Sequence, residues 1–444
     1  MNKEFHKKQN FFSFSDIDSE RKARIMKFTS TEATPAPHVP PGVLRLTGAA
    51  KEDIPMYRIQ TTNKISPVGL NRFPSELYEV GDAVQDPQGI LVRSAKLLDL
   101  EFNPGLLAIA RAGVGVNNIP LDRCAAAGIP VFSTPGANAN AVKELVICAM
   151  LMGSRDIPGA IRWVREQAAS GVDVSTVVEK GKSAFIGPEL YKKTLGIIGL
   201  GAIGSIVANT AISLGMDVYG YDPFLSVDTA LRLDRHVHVV KDINDLYKRS
   251  DYITMHIHYT EKTAHMIDAS AIAAMKRGVR VINLARGEIV DDEAMLTALD
   301  TGMVAAYITD FPNNRLLTAP HVIAMPHLGA STPESEQNCA AMAVDTLRDY
   351  LESGNIRSSV NLPEMTMDRS GVQRLCVLHK NVPGMLANIT SLFGRDGVNV
   401  ENLSNKSRGD YAYTMVDLGS KVGDNVIEDV RRTANVIRVR SLEW

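Results

Sequence analysis

The sequence predicts an α/β protein with two doubly wound, Rossmann-like parallel-sheet domains and a small third domain at the C-terminal end. Three observations predict this class. Short apolar segments alternate with amphipathic segments from Met56 to Leu351, a glycine-rich turn at 199–204 joins a strand to a helix, and the segment 372–444 has the element order βαββαβ. Alternating strands and helices build a parallel sheet covered by helices, and the order βαββαβ is that of a ferredoxin-like module.

The individual elements can be placed in chain order. The strands of the first sheet are predicted at YRIQT, GILVRS, LLAIARA and PVFST, with LDRCAAAG as a helix before the last of them. The second sheet continues from the glycine-rich turn through VHVV, DYITMHI, VRVINLA, VAAYITD and HVIAMP. A helix is predicted from Thr332 and Pro333 to Leu351, because proline suits a first helical turn. The polar stretch 353–371 then predicts a linker to the C-terminal module.

Length and charge narrow the classes of function. The chain has 444 residues and a net charge of −2, from 48 basic and 50 acidic residues, which predicts two or three domains and gives no electrostatic footprint for nucleic acid. No apolar run reaches the roughly 18 residues that span a bilayer, and no export signal is evident. The cysteines have neither metal nor disulfide spacing, which predicts free thiols in a reducing, cytoplasmic compartment; they are Cys124, Cys148, Cys339 and Cys376.

The glycine-rich turn lies in the segment TLGIIGLGAIGSIVANTAISLGMDVYGYD, which has the pattern of a dinucleotide-binding βαβ unit. Gly199 permits a tight turn, and Gly204 lets the helix pack closely on the strand. Gly201 allows the backbone amides of Ala202 and Ile203, at the start of the helix, to approach a pyrophosphate. The sequence therefore predicts a site for a dinucleotide.

The kind of dinucleotide is predicted from Asp222, which ends the second strand of this unit. Its carboxylate can accept hydrogen bonds from both ribose hydroxyls and would repel a 2′-phosphate, and no cation follows it directly. NAD is therefore favoured over NADP. The alternative is that Asp222 is only a turn acid at a strand end.

Three motifs in order carry a resemblance to a known family: GLGAIG at 199–204, NLARGEIVD at 283–291 and MPHLGAST at 325–332. With them, residues 56–444 resemble the D-2-hydroxy acid dehydrogenases, in particular the short members with a C-terminal ACT domain. The resemblance implies NAD-dependent oxidation of D-3-phosphoglycerate to 3-phosphohydroxypyruvate, the first step of L-serine biosynthesis. The alternatives are a hydroxypyruvate, glyoxylate or 2-oxoglutarate reductase, or a weakly active NAD-binding regulator that senses serine.

Oxidation of a 2-hydroxy acid requires a cation for the carboxylate and a base for the hydroxyl proton. Arg286 follows VRVINLA and His327 follows HVIAMP, so both are expected at the carboxyl edge of the second sheet. By the resemblance, Arg286 orients the substrate, His327 takes the proton, and His256 and Ala285 border the cofactor. No metal is expected, because His256 and His258 would share a strand face without a further ligand at metal spacing.

The chain departs from the family beside the catalytic histidine. Members commonly carry a glutamate shortly after a DVFP-like turn, where it hydrogen-bonds this histidine; here the turn is TDFPNNRL, and Asn314 occupies that position. An amide can orient an imidazole but does not stabilise its cation as a carboxylate does. We therefore expect either Asp310, four residues earlier, or an orienting Asn314 to serve His327.

The first domain supplies the expected contacts to the anionic groups of the substrate. By the resemblance, Arg93 and Ser94, at the end of GILVRS, meet the carboxylate or phosphate, and Asn138 in PGANANAVKE lines the same cleft. Lys64 and Arg72 are further candidates, because a 3-phosphate needs an additional cation.

The C-terminal module is expected to bind an effector. His379 and Asn381 in LHKNVPGML are expected in the loop before a helix whose free amides suit a carboxylate, and Asn399 follows that helix. By the resemblance, these three residues bind L-serine at a subunit interface, which implies a homo-oligomer, a dimer or tetramer, with feedback inhibition. The alternative is an ACT domain used only for oligomerisation.

The element order and the resemblance together predict the domain organisation. Residues 1–55 are expected to be a mostly disordered extension. The other parts are a discontinuous substrate-binding domain at 56–137 and 330–352, the NAD-binding domain at 138–329, the linker at 353–371 and the ACT domain at 372–444.

Overall fold

A computed structural model describes residues 56–444, so the extension predicted at 1–55 lies outside the described residues. Within them the predicted fold class is confirmed, since two parallel sheets are followed by a small antiparallel sheet. No helix in this part of the chain has the length and apolarity needed to cross a membrane.

The first sheet has five strands, and two short helices accompany it. The elements are β1 (Tyr57–Thr61), α1 (Pro67–Leu70), β2 (Tyr78–Gly81), β3 (Gly89–Val92), β4 (Ala108–Arg111), α2 (Leu121–Ala126) and β5 (Val131–Phe132). The strands are parallel in the order β2-β1-β3-β4-β5. The sequence pattern does not predict β2, because this edge strand, YEVG, is short and only partly apolar.

The second sheet has seven parallel strands. Their order across the sheet is β12-β11-β10-β9-β6-β7-β8. The strands are β6 (Thr194–Ile198), β7 (Asp217–Tyr221), β8 (His238–Val240), β9 (Tyr252–Met255), β10 (Val279–Asn283), β11 (Val304–Thr309) and β12 (Val322–Ala324). The helices are α3 (Ala139–Arg155), α4 (Ile157–Ala169), α5 (Val174–Gly181), α6 (Ala202–Ser213), α7 (Val227–Ala230), α8 (Ile243–Arg249), α9 (Ala269–Ala273) and α10 (Asp292–Asp300). The strand order reverses between β6 and β9, where such sheets bind ligands.

A long helix, α11 (Pro333–Ser353), returns the chain from the second sheet to the first. It begins where the sequence predicts: the Thr332 hydroxyl accepts a hydrogen bond from the Ser335 N–H at 3.1 Å, and Pro333 occupies the first turn. Its buried face, which includes Val344 and Leu347, packs in the core of the first sheet.

The C-terminal module has the predicted element order. Its elements are β13 (Gln373–Lys380), α12 (Met385–Arg395), β14 (Val400–Arg408), β15 (Tyr411–Leu418), α13 (Asp424–Arg432) and β16 (Val436–Glu443). The antiparallel order is β14-β15-β13-β16. Leu375 and Val377 face the two helices, whereas Cys376 and Leu378 face the core of the first sheet, because side chains alternate along a strand. Both faces of β13 are therefore covered within the chain, whereas the edge strand β14 is largely exposed.

Two buried arginines of this sheet bind the end of α11. Arg374 forms a fully buried ion pair with Asp417, with nitrogen–oxygen distances of 2.6 and 2.8 Å. Arg440 donates to the carbonyl oxygens of Tyr350 and Leu351 at 3.0 and 2.8 Å. Arg374 also donates to the Ser353 carbonyl oxygen at 2.8 Å, so both arginines bond to carbonyls of the last turn and place positive charge at the negative end of the helix dipole.

The segment that connects α11 to β13, predicted as a linker, is packed against the rest of the chain. Ile356 and Met365 pair across it in an antiparallel bridge, and both are buried together with Leu362 in the core of the first sheet. The connection is thus part of the fold of the first sheet and not a solvated spacer.

Candidate active site

The glycine-rich turn between β6 and α6 has the conformation that its sequence predicts. Gly199 has a φ of +91°, and a Cβ there would lie 2.6 Å from the carbonyl oxygen of His256. A Cβ on Gly204 would lie 1.9 Å from the Gly199 oxygen, so only glycine allows this close approach. A Cβ on Gly201 would meet no atom within 4 Å, and no side chain caps the helix. The turn and the free amides of α6 therefore fit a pyrophosphate.

Asp222 follows β7, beside this turn. Its carboxylate accepts hydrogen bonds from the backbone N–H groups of Leu200 and Phe224, both at 2.9 Å. The turn role that was the alternative prediction is therefore present in the geometry. Because a carboxylate offers about four acceptor positions, two bonds leave capacity for ribose hydroxyls. Ala202 and Ile203 open α6 on the other side of the turn.

His256 and His258 follow the end of β9 at Met255, so the prediction that they share a strand face is wrong. The His256 side chain lies 3.2 Å from the Thr254 hydroxyl, and burial lowers its pKa to about 4. It is therefore neutral at physiological pH, and its backbone N–H donates to the Ile198 oxygen at 2.8 Å, next to the glycine turn. Within residues 56–444, no cluster of three His, Cys, Asp or Glu side chains is arranged to hold a metal.

Arg286 and His327 approach each other across the ring of Phe311. The ring centroids of Phe311 and His327 are 4.7 Å apart, and the guanidinium carbon of Arg286 lies 5.9 Å from the Phe311 centroid. The backbone of Arg286 is held by Asn283, whose side-chain amide donates to the Arg286 carbonyl oxygen at 2.8 Å. Its guanidinium donates to the Ala285 oxygen at 2.6 Å. The structure thus brings both predicted catalytic side chains to one edge of the second sheet.

Of the two predicted partners of His327, Asp310 is the one with the suitable environment. It is 1% exposed, and neither carboxylate oxygen has a hydrogen-bond partner among residues 56–444. Burial raises the pKa of Asp310, whereas His327, the nearby Gly329 N–H and Arg286 oppose that rise. Asn314 is exposed in the turn after Phe311. The carboxylate beside the histidine is therefore inside the fold, four residues before the position that the family pattern suggests.

Arg111, which the sequence reasoning did not single out, belongs to the same site. It ends β4 and pairs in register with Val92, directly before Arg93. Its Nε is buried without a hydrogen-bond partner among the described residues. Burial lowers the pKa of Arg111, and the charges of Arg93 and Arg286 lower it further. We call Arg93, Arg111 and Arg286 the arginine cluster; the position of Arg111 at the carboxyl end of LLAIAR was the signal that could have found it.

The loop that carries Arg93 and Ser94 is organised by Asn63, which was also not predicted. The Asn63 side-chain oxygen accepts the backbone N–H groups of Arg93, Ser94 and Ala95 at 3.2, 2.9 and 2.8 Å. The amide of Ser94 is thus already bonded, and the loop offers an anion chiefly the Arg93 side chain. That side chain forms an ion pair with Glu336 of α11 at 2.5 Å.

The other predicted substrate contacts differ in whether their polar groups are already bonded. Asn138 directly precedes α3, and its side-chain oxygen is buried without a partner in residues 56–444, as is the hydroxyl of Thr134. Arg72 forms a two-bond ion pair with Asp345 of α11, at 2.6 and 2.7 Å. Lys64 is exposed. Asn138 therefore has free capacity for a ligand, whereas Arg72 is already engaged.

The three predicted effector residues lie at the start and end of the helix α12. His379 is within β13 and 2% exposed, so its prediction as a loop residue is wrong, because β15 pairs with β13 as far as Lys380. The ring nitrogens of His379 lie 2.8 Å from the Lys380 carbonyl oxygen and 2.9 Å from the Thr414 hydroxyl. Asn381 and Asn399 are exposed.

Comparison with known proteins adds independent information. Residues 147–329 match the family model described as the D-isomer specific 2-hydroxyacid dehydrogenase, NAD binding domain. The chain is 38% identical over 299 residues to D-3-phosphoglycerate dehydrogenase of Synechocystis sp., which covers 65% of this chain and 51% of that protein. It thus spans about half the length of that relative.

Two further matches cover most of the length of the protein to which this chain is compared. D-3-phosphoglycerate dehydrogenase of Haemophilus influenzae is 31% identical over 379 residues, which covers 82% of this chain and 88% of that protein. The crystal structure of NAD+-bound 3-phosphoglycerate dehydrogenase from Entamoeba histolytica is similar with a TM-score of 0.54 and 26% identity, over 69% of this chain and 99% of that chain. The chain belongs to the D-isomer specific 2-hydroxyacid dehydrogenases and carries their NAD-binding domain.

Proposed function

We propose that this chain oxidises D-3-phosphoglycerate to 3-phosphohydroxypyruvate with NAD, the first step of L-serine biosynthesis. The observation that carries the proposal is the convergence of His327, the buried Asp310 and the arginine cluster at the edge of the sheet that also carries the glycine-rich turn. The substrate has a carboxylate, a hydroxyl on C2 and a phosphate on C3, so it requires one base and cations for two anionic groups. The names of the relatives support this choice among 2-hydroxy acids.

The chain's own residues would hold NAD along the edge of the second sheet. The free amides of α6 suit the pyrophosphate, and Asp222 suits the ribose of NAD while repelling the 2′-phosphate of NADP. His256 and Ala285 border the same crevice. When bound, the nicotinamide ring supplies the acceptor for the hydride that leaves C2.

The protein groups account for the proton and for the orientation of the substrate. Arg286 binds the substrate carboxylate with its planar fork, which fixes C2 relative to the base. His327 removes the hydroxyl proton and becomes positively charged as the carbonyl forms. Asp310 stabilises that charge from inside the fold, and the Phe311 ring keeps the imidazole and the guanidinium at their separation. Arg93 and Arg111 take the phosphate.

The test is the formation of NADH from D-3-phosphoglycerate by the purified protein, with His327→Ala as the control. We expect turnover with NAD, little with NADP, and a loss of at least about 100-fold in the control, the typical contribution of a general base. Consumption of NADH with hydroxypyruvate, glyoxylate or 2-oxoglutarate, without formation of NADH from phosphoglycerate, would favour the other reductases of this family. NAD binding without turnover of any of these would favour the regulator.

We further propose that the C-terminal module is an ACT domain that binds L-serine and inhibits the enzyme. Its element order and the exposed side chains of Asn381 and Asn399 support the proposal, although His379 already bonds to Thr414 and would act by holding the strand. The 21-residue helix α11 offers a route, because its last turn is bound by Arg440 and its first turn follows the His327 loop. A serine titration that leaves both rate and substrate affinity unchanged would contradict this role.

A homo-oligomer, a dimer or tetramer, is part of the same proposal. The helices α4 and α5 bury only Gly159, while Ile161, Val164 and Val178 are 51%, 38% and 38% exposed. Such an apolar face on two neighbouring helices is typical of a subunit contact. Light scattering of the protein should give a mass of at least two chains, and Ile161→Asp should lower it. The free cysteines fit the cytoplasm as the compartment.

A further inference from the structure

The arginine cluster contains one contact that opposes the binding of a substrate. Glu336, in the first turn of α11, places its Oε1 2.5 Å from Nη2 of Arg93. The amides around Arg93 are held by Asn63, so the guanidinium is the main group that this loop can offer to an anion. An anion that binds Arg93 must therefore displace or approach a carboxylate.

The ion pair between Arg93 and Glu336 is exposed and weak, so a ligand can break it. The side chains of Arg93 and Glu336 are 44% and 43% exposed, and pairs of this kind contribute little to stability because water screens them. A phosphate carries a charge of about −2 and can form two parallel bonds to a guanidinium, which are stronger than a single contact to a carboxylate. A phosphate can thus replace Glu336 on Arg93. A substrate without a distal anion forms no ion pair with Arg93 and leaves Glu336 in place.

A second ion pair on the same helix lacks this relation to the site. Arg72 and Asp345 are 47% and 45% exposed and are joined by two bonds, so their exposure matches that of the first pair. Arg93 directly follows Val92, the register partner of Arg111, and the Arg111 Nε is buried without a hydrogen-bond partner among the described residues, whereas Arg72 follows the short helix α1. The pair of Arg93 and Glu336 is therefore the one that borders the cluster.

We propose that Glu336 is a specificity-determining residue that occupies Arg93 in the free protein and competes with the distal anionic group of the substrate. This inference rests on the proposed function, since it deepens the account of how a phosphorylated 2-hydroxy acid is chosen. The competition sets a threshold: a distal phosphate can displace Glu336 from Arg93, whereas a distal group of lower charge gains less from doing so. A 2-hydroxy acid without such a group is indifferent to Glu336.

The experiment compares Glu336→Gln with Asp345→Asn, a matched removal of one negative charge from the same helix. For Glu336→Gln we expect the KM for D-3-phosphoglycerate to fall about three- to fivefold at low salt, with kcat unchanged, the range that an exposed ion pair allows. For D-lactate, which has no distal anion, KM should stay the same in both variants. In an Arg93→Met background, Glu336→Gln should have no effect on KM.

Two results would overturn the inference. An unchanged or raised KM for phosphoglycerate in Glu336→Gln contradicts the competition, and an equal fall in Asp345→Asn shows a general effect of charge. Binding of inorganic phosphate, measured by calorimetry, keeps the test separate from the proposed function. If phosphoglycerate is not turned over, tighter phosphate binding by Glu336→Gln than by the unchanged protein still supports the competition, and equal binding refutes it.

Discussion

Replacing Asp310 with asparagine separates the catalytic role of this carboxylate from its effect on stability. Asp310 is 1% exposed beside His327, and among the groups that favour its ionised form the charge of His327 has the largest effect. An interaction with a charged group contributes about 1.5–3 kcal/mol, and about 1.4 kcal/mol corresponds to a factor of ten in rate. We therefore expect Asp310→Asn to lower kcat roughly 10- to 150-fold, with a small change in KM.

The same substitution is expected to stabilise the fold at neutral pH. Because burial raises the pKa of Asp310, the folded protein holds this proton more tightly than the unfolded chain, where the pKa of aspartate is about 3.9. The stability linked to this proton is fully present below about pH 4 and is lost as the pH rises through the raised pKa. Asparagine carries no charge, so the variant should avoid that loss.

The assay combines pH–rate profiles with thermal unfolding between pH 4 and 8. Asp310→Asn should lose activity while its unfolding temperature at neutral pH equals or exceeds that of the unchanged protein, and the difference should vanish near the acid end. Asn314→Ala is the control, and it should keep its activity within about twofold, because Asn314 is exposed. Unchanged kcat and an unchanged pH–rate profile in Asp310→Asn would refute the reasoning, and a loss in Asn314→Ala would assign the role to that amide.

Three further substitutions test separate parts of the structure. In Gly204→Val, the new Cβ would lie 1.9 Å from the Gly199 oxygen, so NAD binding followed by fluorescence titration should be lost; retained affinity would contradict the close packing of α6. Asp417→Asn leaves Arg374 buried without its carboxylate, and urea unfolding should show a loss of about 3–5 kcal/mol; a loss below about 1 kcal/mol would mean that the pair is dispensable. Arg111→Met should raise the KM for D-3-phosphoglycerate roughly tenfold without lowering stability, since it also relieves repulsion in the arginine cluster; unchanged steady-state kinetics would remove Arg111 from the site.

The fold class could be predicted because local patterns determine most of it. The strand YRIQT and the helix that begins at Pro333 have the predicted starts, since their apolar periods and proline are local signals. The edge strand β2 was not predicted because it is short and only partly apolar, and the helices α4 and α5 were not predicted although their apolar residues have a helical period. A short strand at a sheet edge buries few side chains and therefore leaves a weak pattern.

The candidate site could be predicted where a motif fixes the backbone and less well where it depends on packing. Gly199 and Gly204 need their residue type for reasons of conformation and space, so the sequence alone indicates their roles. The choice between Asp310 and Asn314 depends on which side chain turns inward after β11, and no local signal decides that. His379 was predicted in a loop, but β13 continues to Lys380 by pairing with β15. His379 is therefore a buried strand residue.

Contacts between distant segments are the part that a single sequence does not reveal. Arg374 and Asp417 are 43 residues apart, and each alone has the pattern of an ordinary charged residue on a strand. Only the packing of the C-terminal sheet on the core of the first sheet buries them, and a buried guanidinium must then bond all its donors. One of those donors reaches the Ser353 carbonyl at 2.8 Å, so the requirement to satisfy a buried arginine also fixes the end of α11. The position of the C-terminal sheet and the position of α11 are therefore determined together, and a substitution that releases this arginine should loosen both.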